Sequence, residues 1–270
     1  MATIIRLKNA EFSAGLPSIY PFVAMESAQF AFDFRNRLNR FDDLTGNHTL
    51  TIYRNDIANG QVHVQDDSVI DDLDGVGVSP VLGFMSVDYP VKPIPIKGGE
   101  QFSLLLVGGL HPTYEWNDAN NAGSRASLSS LFDYGTGINT AGFSAEIEVG
   151  TGYAGARIKS GVFRIGYSAE PRRALVQVLT FDGAVFTLHN LTTGQSTSFD
   201  AEKSAEIGAA LDVVTTYTSN VALGHYHKTS TLVAFPAAFY QVARWNKVLS
   251  ASELKEQYAR SKQSFPTLVL

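Results

Sequence analysis

The chain has 270 residues, 44% hydrophobic and 17% charged, with a formal net charge of -5 and no cysteine. That acidic balance argues against a nucleic-acid binder held by phosphate contacts, and the missing thiols exclude disulfides and cysteine metal sites. No stretch approaches the roughly 20 apolar residues a membrane helix needs, and the charged start "MATIIRLKNAEFSAG" leads us to expect no signal peptide.

Residues 1–29 read as an N-terminal arm: "ATIIRLKN" alternates as one strand, and Gly15, Pro17 and Pro21 interrupt the rest of the arm. The body is expected over 30–270, rich in Phe, Tyr, Val, Thr and Gly as twisted sheets are. After "QFAFDFRN", the residues Asp42, Asp43, Thr45, Gly46 and Asn47 predict a turn, and "HTLTIY" a strand. "VQDDSVIDDLDGVGVSP" crowds Asp among glycines and reads as a solvated loop. "EQFSLLLVGGL", apolar and bounded by Gly, reads as a strand buried on both faces. "HPTYEWNDANNAGSRAS" has the make-up of a long exposed loop.

Short strands come next in "SSLFDYG", "GFSAEIEVG", "AGARIKSG", "VFRIGYS", "RALVQVLTFDG", "AVFTLHNLTTG" and "QSTSFD". A hairpin is expected across Asp182-Gly183, a dipeptide that suits a type I′ turn. "DAEKSAEIGAALDV" reads as a helical turn or an irregular loop, and "NVALGHYHK" and "AAFYQVARWN" complete the strands. Turn signals about every 8 to 12 residues, without βαβ alternation, predict an all-β sandwich or jelly roll.

One helix is expected, at the C-terminal end. In "LSASELKEQY", Ser250 and Glu253 have the spacing of a reciprocal capping box, with Leu249 and Leu254 placed as a hydrophobic staple. Leu254 and Tyr258 then give a narrow apolar stripe that can lie on a sheet.

Trp245, Asn246, Lys247, Leu249, Ser250 and Glu253 resemble the C-terminal run of the concanavalin A-like (LamG-like jelly-roll) lectin/glucanase superfamily. "FDFRNRLNRFDDLTGNHTLTI", "GEQFSLLLVGG", "ALVQVLTFDGAVFTLHNLTTGQ" and "NVALGHY" are similar to its earlier strands, in the same order. Arg244 departs from the pattern, standing where that family usually has an apolar residue. The resemblance implies a two-sheet antiparallel β-sandwich with a short C-terminal helix. The arm "ATIIRLKNAEFSAGLPSIYPF" is similar to N-termini of phage and prophage virion proteins, which assemble in the host cytoplasm without a signal peptide.

Chemistry is sparse. The superfamily's glucanases carry three carboxylates on one strand, whereas "SAEIEVG" offers Glu146 and Glu148 alone. Alternate strand residues lie roughly 6.5 to 7 Å apart, near the boundary between retaining and inverting pairs. A solvent-facing acidic pair is the plainer reading. His225 and His227 share a strand face, as metal ligands or as an ordinary half-exposed pair. "DLTGN" and "DDSVIDDLDG" hold oxygens calcium prefers, but their spacing is that of turns and not of an EF-hand loop. Gly-x-Gly at Gly75 and Gly77, or at Gly135 and Gly137, has no following helix to receive a nucleotide.

For glycan binding, an exposed aromatic with nearby amides and carboxylates is required. Tyr114, Trp116, Asn117, Asp118 and Asn120 supply these within one loop, with Glu115 and Asn121 beside them. Trp116 is alternatively a loop anchor or a subunit contact. Together these features lead us to expect a non-enzymatic virion protein of a tail, fibre or capsid surface, with no metal or cofactor. Its expected partners are other virion proteins, a second copy met through the arm, and a host-surface glycan. A polysaccharide-degrading glycoside hydrolase and a ligand-free decoration protein are the alternatives.

Overall fold

A computed structural model describes residues 21–35, 41–56, 61–64, 69–71, 76–78, 84–91, 101–110, 125–132, 143–148, 153–158, 163–168, 175–198, 219–223 and 237–265. After a 3-10 turn at Met25–Ser27, the strands are β1 (Ala28–Asp33), β2 (Leu50–Asp56), β3 (Gln61–Val64), β4 (Val69–Asp71), β5 (Val76–Val78) and β6 (Phe84–Val91). Next come β7 (Phe102–Leu110), β8 (Arg125–Phe132), β9 (Phe143–Glu148), β10 (Tyr153–Ile158) and β11 (Phe163–Ser168). The last strands are β12 (Leu175–Phe181), β13 (Phe186–Asn190), β14 (Gln195–Ser198), β15 (Ser219–Leu223) and β16 (Ala237–Trp245), and helix α1 (Ala251–Ser264) closes the chain.

The strands form two eight-stranded antiparallel sheets. The first runs β14-β13-β12-β7-β16-β5-β4, with β1 also on β16; the second runs β11-β10-β9-β8-β15-β6-β2-β3. Strands β7 and β16 lie against β8, and β14 lies beside β11. This is the expected two-sheet sandwich. The Asp-rich stretch expected as a loop departs from that expectation, because Val69–Asp71 and Val76–Val78 pair as a small hairpin that extends the sheet at β16. Valines at 69, 76 and 78 carry the strand preference that the neighbouring aspartates obscured.

Both faces of the first sheet are covered. Every residue of Phe102–Gly109 is buried, as the apolar run predicted. One face gathers Leu105, Val107, Val176, Val178 and Trp245 beneath Leu254 of α1. The other is lined with phenylalanine: Phe181 stacks on Phe186 at 4.4 Å, and Phe102 lies 5.9 Å from Phe181. Arg244 belongs to that aromatic face, with its guanidinium 4.3 Å from the Phe102 ring centroid and 4% exposure. Its position in an apolar layer is therefore met by a cation–π contact.

The helix cap forms as its sequence requires. Ser250 Oγ accepts from the Glu253 amide at 3.3 Å, and the Ser250 amide donates to Glu253 Oε2 at 2.8 Å. Leu249 and Leu254 are buried beside it. The buried stripe then continues through Gln257 and Ser261, with Tyr258 only half-buried at its side. Ser261 donates to Gln241 of β16 at 2.8 Å, so a polar seam joins helix to sheet.

Residues 1–20 lie outside the described residues, and from Pro21 onward the chain is stitched to the body. The Val23 amide donates to Gln257 Oε1 at 2.9 Å, and Arg260 donates to the Phe22 carbonyl at 2.6 Å. Phe22 is 1% exposed, edge-on to Trp245 at 6.5 Å.

The β12–β13 hairpin forms, with its turn one residue later than expected. Phe181 pairs with Phe186, the Asp182 amide donates to the Val185 carbonyl at 3.3 Å, and Gly183 and Ala184 are the central residues. Only Gly183 there has positive φ, 100°, whereas a type I′ turn needs it at both central positions. The Asp182 carboxylate fixes this turn by accepting from the Ala184 and Val185 amides, both at 2.8 Å.

Candidate functional site

The sandwich has one end where the chain repeatedly changes sheet. Passages run from Val78 to Phe84, Leu110 to Arg125, Ser168 to Leu175 and Leu223 to Ala237. Register ties these strand ends together: Leu110 and Val78 both pair with Ala237, Met85 pairs with Leu223, and Arg125 joins Ser168 through Glu148 and Tyr153. Tyr114, Trp116, Asn117, Asp118 and Asn120 belong to the passage 111–124 and lie outside the described residues. Its anchors are described. The passage leaves β7, fourth along its sheet, and enters β8, fourth along the other. His225 and His227 fall in 224–236, also outside the described residues.

Glu146 and Glu148 sit on β9, two residues apart and so on one face, opposite the face of Phe143, Ala145 and Ile147. In register, Glu148 is paired with Arg125 on one side and Tyr153 on the other. Glu146 is paired with Ser127 and Gly155.

The "DLTGN" turn uses its carboxylate for folding. Asp43 Oδ1 accepts from the Ala31 and Thr45 amides at 2.8 and 3.0 Å. Its Oδ2 accepts from Thr45 Oγ1 at 2.5 Å and from the Asn47 and His48 amides at 3.2 and 3.1 Å. Lone pairs so occupied hold β1 to the turn and leave a cation little to bind. Gly46, at φ 72°, supplies the left-handed residue the turn requires. Among the described residues, no group of three or more His, Asp or Glu side chains is placed to hold a metal ion.

Sequence reasoning passed over a polar row at the edge of the first sheet. His189 Nδ1 lies 2.9 Å from Ser196 Oγ, and its Nε2 lies 3.3 Å from Thr180 Oγ1. Thr187 and Ser198 share a 2.7 Å hydroxyl contact alongside. Burial lowers the His189 pKa below its ordinary value. The period-two placement of Thr187 with His189, and of Ser196 with Ser198, was the available signal.

No protein-family model matches the sequence, and no curated protein matches it. Solved structures of similar fold include the receptor binding domain of the botulinum neurotoxin C/D mosaic serotype. It is 10% identical, with a TM-score of 0.57 over 87% of this chain and 51% of that one. The receptor binding domain of botulinum neurotoxin type G is 12% identical, with a TM-score of 0.54 over 86% of this chain and 51% of that one. Trypanosoma rangeli sialidase, in complex with 2,3-difluorosialic acid, is 11% identical, with a TM-score of 0.53 over 90% of this chain and 34% of that one. The chain thus spans about half the length of the toxin domains and a third of the sialidase. At such identities the likeness is one of fold alone, an antiparallel β-sandwich.

Proposed function

We propose that this chain is a non-enzymatic binding protein of a phage particle, a tail, fibre or capsid-surface component whose lectin-like sandwich engages a host-surface glycan. The observation that carries the binding reading is the passage 111–124. It holds Tyr114, Trp116 and a run of amide and carboxylate side chains, and it is anchored on the middle strands of both sheets. A binding loop needs such a base, because ordering a long loop costs less when its ends are fixed. The domains of similar fold carry receptor binding in their names, which favours the same class of role here. One of them is in complex with rat synaptotagmin II, so a protein partner is the counterpart reading for the same rim. The particle location rests on the arm's likeness to virion N-termini.

The test is a glycan array run with the full chain and Trp116→Ala. Glycan binding abolished by the substitution supports the loop; binding left intact overturns its role. Reducing-sugar release from β-glucans, lost in Glu148→Gln, overturns the non-enzymatic reading in favour of a glycoside hydrolase. Mass spectrometry of purified particles that lack the chain overturns the virion location.

A further inference from the structure

We propose that the β10–β11 hairpin carries an anion subsite, formed where Arg157 and Arg164 occupy directly paired positions beside the glycine pair Gly155 and Gly166, and that its ligand is an acidic saccharide. This inference deepens the glycan-binding reading and rests on it.

Register carries the placement. Arg157 pairs with Arg164, Gly155 with Gly166, and Tyr153 with Ser168, three successive pairs on one face of the hairpin. Across on β9, the same-face positions are Ser144, Glu146 and Glu148. Like charges directly opposite each other, with Cβ atoms about 4.5–5.5 Å apart, destabilise a ladder. Neither β10 nor β11 contains an acidic residue. Among the described residues, the nearest carboxylate in register is Glu146, diagonal to Arg157, while Arg164 lies on β11, at the edge of its sheet. A carboxylate or sulfate shared between two guanidinium groups turns that repulsion into bidentate attraction.

The adjoining glycine pair bears on ligand size. Glycine inside a strand weakens it and marks a place where another group approaches the backbone closely. Here two glycines are paired directly, between the arginine pair and the Tyr153–Ser168 pair. Two same-face steps along a strand span about 13–14 Å, the length of a di- or trisaccharide. Tyr153 and Ser168 then occupy the far end of that span, where an aromatic and a hydroxyl suit a sugar ring. In an antiparallel sheet packed on one side, the apolar set is the packed one. Phe143, Ala145 and Ile147 on β9, and Ala154, Ala156 and Ile158 on β10, make up the opposite face.

The experiment is calorimetric titration of the full chain and of Arg157→Gln and Arg164→Gln with 3′-sialyllactose, a sulfated lactose and lactose. The acidic saccharides should bind at least tenfold more tightly than lactose in low salt, and each substitution should remove that advantage. Thermal unfolding without ligand gives an independent readout: Arg164→Gln should raise Tm in low salt, and the gain should vanish in high salt. Equal binding of acidic and neutral sugars, or a Tm lowered by Arg164→Gln, overturns the anion subsite and leaves glycan binding standing. No binding of any saccharide overturns both.

Discussion

The indole Nε1 of Trp245 donates to the backbone carbonyl of Val23 over 2.9 Å, joining the last strand to a segment more than two hundred residues earlier. Trp245 is wholly buried there, and Val23 also donates its amide to Gln257 of the helix. Strand, helix and N-terminal segment therefore hold one another. Trp245→Phe keeps an aromatic ring but leaves the Val23 carbonyl buried without its donor. It should lower stability by about 1–3 kcal/mol, read from the urea midpoint at constant m-value. An unchanged midpoint would show that this bond contributes nothing.

Asp43 makes a second long-range fastening, from the turn to the Ala31 amide of β1. Asp43→Asn keeps one acceptor oxygen and sets an amide NH2 among N–H and O–H donors. We expect a loss of roughly 1–3 kcal/mol in chemical denaturation, with Asp43→Ala at least as damaging. Calcium added to the wild type should not raise its Tm, and a clear rise would return the turn to the metal sites.

How much of this was legible in the sequence depended on how local the cause was. The helix cap needs only Ser250 and Glu253 three residues apart, so it could be read directly. The doubly buried β7 was legible because its apolar run is uninterrupted. The polar stripe of Gln257 and Ser261 was not, since its partners Val23 and Gln241 are supplied by distant segments. Nor was the hairpin at Val69–Asp71, whose partner strand extends a sheet built around β16. The arginine pair was hidden for the same reason, because only register reveals that Arg157 meets Arg164. The aromatic stretch 111–124 lies outside the described residues, and its reading rests on composition.

Removing the helix cap should have a measurable and pH-dependent effect. Ser250→Ala should cost about 1 kcal/mol at neutral pH. Glu253 has its carboxyl held below the ordinary range, chiefly by the hydrogen bond to Lys247 at 2.5 Å and then by the Ser250 amide. A depressed carboxylate pKa adds stability above the unfolded value and loses it as pH falls towards the folded one. The stability difference between wild type and Glu253→Gln should thus be constant from pH 7 to about 5 and shrink below about pH 4. A difference that persists in acid would assign the effect to packing.

His189 should add a second loss of stability on acidification, of the same sign but in a higher window. Its pKa lies below the ordinary 6.5 because the half-buried ring is poorly solvated when charged. The hydroxyls of Ser196 and Thr180 sit at its two nitrogens, 2.9 and 3.3 Å away. Thr180 Oγ1 also lies 3.3 Å from the Thr187 carbonyl, to which it donates, so it accepts from Nε2 and leaves Nδ1 as the acceptor for Ser196. Protonation would turn Nδ1 into a donor and force the Ser196 hydroxyl to reorient. On unfolding, the ring regains its ordinary affinity and takes up a proton at any pH between the two values. The unfolded state then binds more protons, so stability is full above about pH 6.5 and declines as pH falls through that window. His189→Asn removes this titration while leaving a polar group between the two hydroxyls. The variant should lose less stability than the wild type between pH 7 and 5 in parallel urea titrations. Equal losses would mean that His189 charges as readily in the folded protein as in the open chain.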